Sequence, residues 1–238
     1  MAQWQERAEL LFKEEGINTL KNANILVVGL GGVGSFAAEF LVRAGIGNIT
    51  IVDGDTVDIT NINRQLPALH STVGKPKVTI VGDRLMDINP ALNLTRVEEF
   101  LSPERALEIV SPDFDYVLDC IDSLTPKLNL IIAAKRKKVK VISCLGAGGK
   151  YDSSKVMVRD ISKTKVCPLA KNVRKRLKDA KINKGVKAVF STEAPDTTSI
   201  KTTDGSNFKK SFYGTNSWMP AQFGLHAAET VVRHLLGK

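Results

Sequence analysis

The stretch Ile25-Leu26-Val27-Val28-Gly29-Leu30-Gly31-Gly32-Val33-Gly34 decides the fold class. Four apolar residues that end in glycine are typical of a buried parallel strand. A helix is predicted over residues 35–44, closed by Gly45, and the next predicted strand, residues 49–52, ends at Asp53. Strand, helix and strand in this order predict a βαβ unit with a right-handed crossover.

The alternation of strands and helices continues along the chain. Further strands are predicted over residues 94–98, 116–120, 140–144, 155–158 and 188–191. Further helices are predicted over residues 6–20, 75–88, 103–110, 126–137, 168–180 and 220–236. This order predicts an α/β fold, a Rossmann-like, doubly wound and mostly parallel sheet with helices on both faces.

Two segments receive more specific predictions. The first helix is expected to have an apolar side made of Leu10, Leu11, Ile17 and Leu20. Residues 194–217 are rich in Thr, Ser, Asp, Asn and Gly and are expected to form a long mobile loop.

The composition excludes several classes of protein. Hydrophobic content is 43% and charged content 25%, as in ordinary globular proteins. No apolar run approaches the roughly 20 residues of a membrane helix, and residues 1–22 lack the apolar stretch of a signal peptide. We therefore expect a cytoplasmic protein without a membrane partner. Three cysteines are too few for a zinc site of four thiolates and suit a reducing compartment.

The net charge of +9 is concentrated in three basic clusters. The clusters are residues 135–138, residues 209–210 and a longer one made of Lys171, Arg174, Lys175, Arg176, Lys178, Lys181, Lys184 and Lys187. Such clusters favour phosphate-rich partners, although a solvated lysine-rich surface is the alternative for any one of them. We expect a polyanionic partner, with the basic region at about residues 165–190.

The glycine-rich loop and the acid that follows it predict a nucleotide site. Glycines let a backbone approach phosphates closely, and the N-terminus of the following helix supplies N–H donors. The loop glycines expected to contact the nucleotide are Gly29, Gly31, Gly32 and Gly34. Asp53, at the tip of the second strand, is expected to accept hydrogen bonds from a ribose. These residues alone do not distinguish NAD from ATP.

The polar string after Asp53 favours a nucleotide-cleaving site, because charge that develops on phosphates must be met by fixed cations and donors. A dehydrogenase needs no such string. Taken singly, each of its residues is typical of a protein surface. Together they are expected to contact the nucleotide, and they are Asp55, Asn61, Arg64, Gln65 and Lys77.

A third motif, residues 118–122, comes at the carboxyl end of a predicted parallel strand, where ligands of open α/β sheets bind. Asp122 is expected to hold a magnesium ion on the phosphates, and the alternative is that it caps the following helix. Asp119 is expected to be structural.

In order and spacing these residues resemble the E1-like adenylating enzymes of the ThiF type, which activate ubiquitin and bacterial sulfur-carrier proteins. The resemblance implies one such domain over residues 1–238, the use of ATP and Mg²⁺, and catalytic roles for Arg64, Lys77 and Asp122. Arg7 is similar to a family arginine that reaches into the partner subunit's site, which implies a catalytic role and a homodimer. The chain departs from the family at residues 12–13, where relatives tend to carry a glycine.

More specific similarity lies in residues 7–11, 146–148, 160–164, 167–170, 189–193 and 214–220. In these segments, and nearly end to end, the chain resembles the tRNA threonylcarbamoyladenosine dehydratases within that superfamily. The resemblance implies ATP-dependent cyclisation of threonylcarbamoyladenosine in tRNA through an acyl-adenylate, with the tRNA backbone on residues 171–187. Ring closure by a nucleophile of the same substrate does not require an enzyme thiol. The resemblance leaves open a monovalent cation, Na⁺ or K⁺, and a cysteine-desulfurase or sulfur-acceptor partner.

The sequence leaves three alternatives open. The first is an adenylyltransferase that activates the C-terminal carboxylate of a ubiquitin-like sulfur carrier; the lack of Cys-x-x-Cys pairs and the basic surface weigh against it. The second is a nicotinamide-dependent dehydrogenase, which the polar string disfavours. The third is a non-catalytic, nucleotide-dependent RNA-binding module.

Overall fold

A seven-stranded sheet forms the centre of the molecule, for which a computed structural model describes residues 3–203 and 211–238. Its strands are β1 (Asn24–Val28), β2 (Asn48–Val52), β3 (Asn93–Val97), β4 (Tyr116–Asp119), β5 (Lys140–Cys144), β6 (Val156–Asp160) and β7 (Lys187–Ser191). They lie in the order β3-β2-β1-β4-β5-β7-β6. All neighbouring pairs are parallel except β6 and β7.

Helices cover both faces of this sheet, which confirms the predicted fold class. The helices are α1 (Glu6–Asn22), α2 (Gly34–Ala44), α3 (Lys77–Ile88), α4 (Pro103–Ile109), α5 (Leu124–Arg136), α6 (Pro168–Asp179) and α7 (Trp218–Leu235). One apolar core lies under α2, α3 and α7, and a second lies under α4, α5 and α6. Strand β1 is apolar from Ile25 to Val28 because alternate residues enter the two cores, Ile25 and Val27 on one side and Leu26 and Val28 on the other.

Helix α1 departs from a straight amphipathic helix at Lys13, whose backbone has φ 65° and ψ 168°. Glycine adopts that region far more readily than any other residue, and this is where the resembled family tends to carry a glycine. The kink directs the first half of the helix away from the core. The prediction of an apolar side was therefore right for Ile17 and Leu20, which are buried, and wrong for Leu10 and Leu11, which are 69% and 66% exposed.

The segment predicted as a long loop contains regular structure. A 3₁₀ helix, Thr197–Ser199, leads into β8 (Ile200–Thr202), which pairs antiparallel with β9 (Ser211–Tyr213). The prediction of an irregular segment was wrong there, since both strands are too short to show alternation in the sequence. Residues 204–210, with the basic cluster at 209–210, lie outside the described residues. The mobility of residues 194–217 and the single-domain organisation stay predictions.

None of the helices in the two described stretches combines the length and the apolar character needed to cross a membrane.

Candidate nucleotide site

The strand order places two of the predicted motifs side by side. From the adjacent strands β1 and β4, the chain continues to β2 on one side and to β5 on the other. Ligands of open α/β sheets bind beyond the carboxyl ends of the strands at such a reversal. The glycine-rich loop, residues 29–34, follows β1, and the turn of residues 120–122 follows β4. The fold itself therefore juxtaposes the loop and Asp122.

Three of the four loop glycines are required by close packing. Gly29 has φ 90°, and a Cβ atom on Gly34 would lie 1.7 Å from the Gly29 carbonyl oxygen. A Cβ atom on Gly32 would lie 2.9 Å from the Arg64 carbonyl oxygen. At Gly31 the nearest atom would be 3.7 Å away, on Gln65. A side chain at position 31 would therefore not clash with the rest of the protein, so packing does not explain this glycine. The space beside it is available to a bound ligand.

Asp53 holds the loop in place from the end of β2. The Leu30 N–H donates to its Oδ2 at 2.5 Å, and the Asp55 N–H donates to its Oδ1 at 2.8 Å. Burial raises the pKa of Asp53, and the positive charge of Lys77 and the two N–H donors oppose that rise. A carboxylate has about four acceptor positions, so two bonds leave room for ribose hydroxyls.

Lys77 and Asp55, both predicted to contact the nucleotide, contact each other. Lys77 is buried, and its Nζ lies 3.0 Å from Asp55 Oδ2. Helix α3 begins at Lys77 and not at residue 75 as predicted, so the lysine lies in its first turn. An ammonium has three donors, and the bond to Asp55 uses one of them.

Asn61 and Arg64 lie on a short, capped turn. The Asp58 N–H donates to Asn61 Oδ1 at 3.2 Å, so that amide oxygen has a structural partner. Arg64 Nη1 donates to the Thr60 carbonyl oxygen at 2.9 Å and to Asn63 Oδ1 at 3.0 Å. Both bonds use one nitrogen of a guanidinium that carries five N–H donors.

Arg64 and Asp122 are electrostatic neighbours although they are far apart in sequence. Burial lowers the pKa of Arg64, and the negative charges of Asp122 and Asp58 act in the opposite direction. Arg64 stays charged at any physiological pH. The structure therefore brings a predicted phosphate cation close to the predicted metal carboxylate.

Gln65 supplies a test of whether the site fits a nucleotide. Within residues 3–203 and 211–238, its Oε1 is the buried side-chain polar atom without a hydrogen-bond partner. An unsatisfied buried acceptor costs about 1–3 kcal/mol. The Gln65 amide borders the loop, with its Nε2 and Cδ 3.7 and 3.9 Å from the position of a Cβ atom on Gly31, so an amide with an unmet acceptor lies beside the space at that glycine. The residues present fit a nucleotide.

A fully buried ion pair fixes the turn that carries Asp122. Lys127 Nζ donates to Asp119 Oδ2 at 2.7 Å, and the Ser143 hydroxyl donates to the same oxygen at 2.6 Å. The Ile121 N–H donates to Asp119 Oδ1 at 3.1 Å. Burial raises the pKa of Asp119, and Lys127 and Ser143 oppose that rise.

This network confirms that Asp119 is structural and corrects the alternative for Asp122. The N-cap position of α5 is occupied by Ser123, because the helix begins at Leu124, two residues before its predicted start. The interpretation of Asp122 as that cap was wrong. Lys127 itself was missed; the available signal was a lysine beside Leu128 and Ile131 on the buried side of α5.

Comparison with known proteins identifies the family. Residues 5–238 match the ThiF family. The chain belongs to the ThiF family. It is 40% identical over 237 residues to the tRNA threonylcarbamoyladenosine dehydratase of Bacillus subtilis (strain 168), covering 97% of this chain and 93% of that protein.

Solved structures agree with that assignment. The crystal structure of the E. coli tRNA N6-threonylcarbamoyladenosine dehydratase in complex with AMP superposes with a TM-score of 0.89 at 36% identity, covering 100% of this chain and 97% of that one. The same E. coli enzyme in complex with ATP gives 0.87 at 35% identity, covering 100% and 96%.

Arg7 of this ThiF-family protein does not join the site of its own subunit. It is exposed in the first turn of α1. The nearby Gln5 side chain would lie 2.9 Å from a Cβ atom on Gly45, at the carboxyl end of α2. The glycine loop is at the other end of α2, which has 11 residues and is therefore about 16 Å long. A role for Arg7 stays a prediction that requires a second subunit.

Some basic side chains of helix α6 are exposed to solvent, and another forms hydrogen bonds within the protein. Lys171, Lys175 and Lys178 are exposed and line a groove with a volume of about 360 Å³ beside Ser162. Arg174, in contrast, donates to the Thr164 carbonyl oxygen at 3.0 Å and also to the Thr164 hydroxyl. Arg174 therefore anchors α6 to the preceding turn.

The cysteines and acids do not form a metal cluster in the described part of the chain. All three cysteines are free; Cys144 and Cys167 are buried and Cys120 is partly buried. No group of three or more His, Cys, Asp or Glu side chains in the described part of the chain could hold a metal ion. A preassembled all-protein metal site is therefore not formed by these residues.

Proposed function

We propose that this ThiF-family protein catalyses the ATP-dependent dehydration, by cyclisation, of N6-threonylcarbamoyladenosine in tRNA. The observation that carries the proposal is the convergence of the glycine loop, Arg64 and Asp122 at the reversal of strand order. The near full-length similarity to dehydratases of that name supports the substrate, and their complexes with ATP and AMP support adenylate chemistry. A cytoplasmic location is part of the same proposal.

In the proposed complex, backbone N–H groups of residues 29–34 and the N-terminus of α2 bind the phosphates of ATP. Asp53 and Gln65 bind the ribose side of the nucleotide. Arg64 and Lys77 neutralise charge on the phosphates, and Lys77 has two donors left after its bond to Asp55. Asn61 shapes the turn on which Arg64 lies, and its amide nitrogen contacts the phosphates.

Asp122 would hold Mg²⁺. Magnesium keeps several waters and is commonly bound by one or two carboxylates together with substrate phosphates. A single exposed carboxylate next to the glycine loop and Arg64 fits that donor set. When bound, the ion supplies positive charge that favours departure of pyrophosphate. A monovalent cation, Na⁺ or K⁺, is a further proposal from the family resemblance, tested by titrating each ion against turnover.

The proposed reaction has two steps. The threonyl carboxylate attacks the α-phosphorus of ATP, an acyl-adenylate forms and pyrophosphate leaves. A nucleophile within the same substrate then attacks the activated carbonyl, the ring closes and AMP leaves with the former carboxylate oxygen. The net change in the nucleoside is the loss of one water. No enzyme nucleophile is needed, because an intramolecular nucleophile has a high effective molarity.

Mass spectrometry tests this function. The protein is incubated with magnesium-ATP and tRNA that carries threonylcarbamoyladenosine, and the modified nucleoside is examined for loss of one water. Asp122→Ala should abolish the loss, whereas Asp113→Ala, an exposed acid at the amino end of β4, should leave it unchanged. No water loss, together with pyrophosphate release in the presence of a sulfur-carrier protein, would replace this proposal by the adenylyltransferase alternative.

We extend the proposal to a homodimer in which Arg7 serves the partner subunit's site. Arg7→Ala and Asp122→Ala should each be inactive alone. Mixed dimers contain one site with both residues intact, so an equal mixture should recover about a quarter of wild-type activity. No recovery after subunit exchange would place Arg7 in its own subunit's site, and full activity of Arg7→Ala alone would place it outside catalysis.

The tRNA backbone is proposed to lie along the groove of Lys171, Lys175 and Lys178. Reversing the charge of Lys171 and Lys175 should raise the KM for tRNA and leave the KM for ATP unchanged. The proposed reaction consumes no sulfur, so association with a cysteine desulfurase or sulfur acceptor is a separate proposal, tested by co-purification.

A further inference from the structure

Two large aromatic side chains, Tyr151 and Trp218, are exposed in one neighbourhood. Tyr151 is 63% exposed and follows the glycine-rich turn after β5, and Trp218 is 50% exposed and begins α7. The Trp218 indole N–H donates to the Tyr151 carbonyl oxygen at 2.9 Å, which joins the two segments. Tyrosine and tryptophan combine a large apolar ring with a polar tip, so their exposure as a pair points to a ligand.

The backbone that carries this pair is held firmly. The Tyr151 N–H donates to the Glu193 carboxylate at 3.0 and 3.2 Å, and Asn216 Nδ2 donates to the Lys150 carbonyl oxygen at 2.7 Å. With its indole N–H already bonded, Trp218 has no free polar donor and offers a partner only the faces and edges of its ring. That suits stacking and not hydrogen bonding.

One side of the pair adjoins the proposed ATP site. Pro220, two residues after Trp218, lies 3.0 Å from the position of a Cβ atom on Gly32 in the glycine loop. Asn63, next to Arg64, donates its side-chain N–H to the Thr215 carbonyl oxygen at 2.8 Å. The segment around Trp218 therefore contacts both the glycine loop and the turn that carries Arg64.

The other side leads to the basic helix. Lys150, next to Tyr151, donates its Nζ–H to the Gly146 carbonyl oxygen at 2.9 Å. A Cβ atom on Gly146 would lie 3.6 Å from Cys167 Sγ and 3.9 Å from Leu169, at the start of α6. A continuous series of contacts therefore runs from the glycine loop through the aromatic pair to the helix that carries Lys171 and Lys175.

We propose that Tyr151 and Trp218, the aromatic platform, bind an unpaired base of the tRNA close to the modified adenosine. The inference rests on the proposed function, since it names the surface that positions that substrate. Proteins bind single-stranded RNA by stacking its bases on aromatic rings and its phosphates on cations. Here the rings lie beside a segment that packs on the glycine loop, and a series of contacts leads from them to the cations of α6.

Fluorescence reports occupancy of the platform directly. The chain has two tryptophans, Trp4 and Trp218, so Trp4→Phe leaves Trp218 as the sole indole. A stem-loop RNA with an unpaired, unmodified loop should quench this emission in a saturable way, and a fully paired RNA duplex of equal charge should quench it weakly. Equal quenching by the two RNAs, or none by either, would overturn the proposal.

Kinetics provides the second readout. Trp218→Ala and Tyr151→Ala should each raise the KM for tRNA about tenfold while kcat and the KM for ATP change little. The conservative variants Trp218→Phe and Tyr151→Phe retain a ring and should retain most of the affinity. Asp113→Ala is the control, because this exposed residue lies at the amino end of β4, away from the nucleotide site.

The outcomes separate the platform from the proposed function. Normal water loss and an unchanged KM for tRNA in folded Trp218→Ala would refute the aromatic platform and leave the proposed dehydratase function supported. Saturable quenching without any water loss by the wild type would sink the function and keep the platform as a nucleic-acid site. Dissociation of a dimer in Trp218→Ala would make the pair a subunit interface and overturn the proposal.

Discussion

Replacing Lys127 by methionine should destabilise the protein strongly, because it leaves a buried carboxylate without its cation. Lys127 and Asp119 are both fully buried, with Nζ and Oδ2 separated by 2.7 Å. The ammonium also donates to the Cys144 carbonyl oxygen at 2.8 Å and to the Ser143 hydroxyl at 3.3 Å. Methionine has a similar length and fills the space, so the loss is mainly electrostatic.

Removing one partner of a buried ion pair costs about 3–5 kcal/mol. In a chain of 238 residues, each kcal/mol lowers Tm by about 2–4 °C, so the variant should melt roughly 6–20 °C lower. The second substitution Asp119→Asn, added to Lys127→Met, removes the unpaired charge. The double variant should recover more than half of the lost free energy of unfolding.

The loss of unfolding free energy in Lys127→Met should depend on pH. Burial already holds the pKa of Asp119 above its ordinary value, and losing Lys127 removes the main opposing influence. The folded state then binds a proton that the unfolded state releases, so stability is fully present below the unfolded pKa and is lost as pH rises through the raised folded pKa. Lys127→Met should be closer to wild type at about pH 5 than at about pH 8.

Urea unfolding followed by circular dichroism measures these differences at both pH values. Lys137→Met is the matched control, since Lys137 is exposed at the end of the same helix and should change stability by less than about 0.5 kcal/mol. A Lys127→Met variant within about 1 kcal/mol of the wild type, or one that is relatively weaker at low pH, would refute the buried pair.

Three further predictions concern other parts of the chain. Lys13→Gly should raise Tm in a thermal melt, because it relieves a backbone conformation that costs about 1–3 kcal/mol for a non-glycine residue, whereas Lys13→Ala should not. Gly34→Ala should disrupt the loop and lower stability, while Gly31→Ala should melt normally and lose ATP affinity in calorimetry; equal effects in both assays would contradict their different packing. Arg174→Ala should lower Tm through its lost bonds to Thr164, and Lys175→Ala should leave Tm unchanged while raising the KM for tRNA; the reverse pattern would count against the assigned roles.

Much of the fold could be predicted because its signals are local. An apolar run, a glycine loop and an amphipathic helix closed by Gly45 each depend on a few neighbouring residues, and all of them formed near the predicted bounds. The exceptions were elements whose local signal is weak or misleading. The kink in α1 occurs at Lys13, where no glycine in the sequence indicates a break in the helix. Strands β8 and β9 are too short to show alternation.

In the candidate site, some residues could be predicted from the sequence and their contacts could not. The chemical types at Asp53, Arg64 and Asp122 could be named from their positions after strands and in the polar string, and their roles toward the nucleotide stay predictions. Their partners could not be named. Asn61 receives a backbone N–H, and Arg174 anchors α6, because side-chain bonds depend on which segments fold together.

The sequence by itself determined that strands and helices alternate and that a glycine loop follows the first strand, because these features depend on residues close together in the chain. Only the tertiary structure decided that Lys127 neutralises Asp119, that Arg64 lies near Asp122, and that Tyr151 and Trp218 share one surface. The last two residues are joined across 67 positions of sequence. Such contacts arise from the packing of β4, β5 and α7, and no local pattern encodes them.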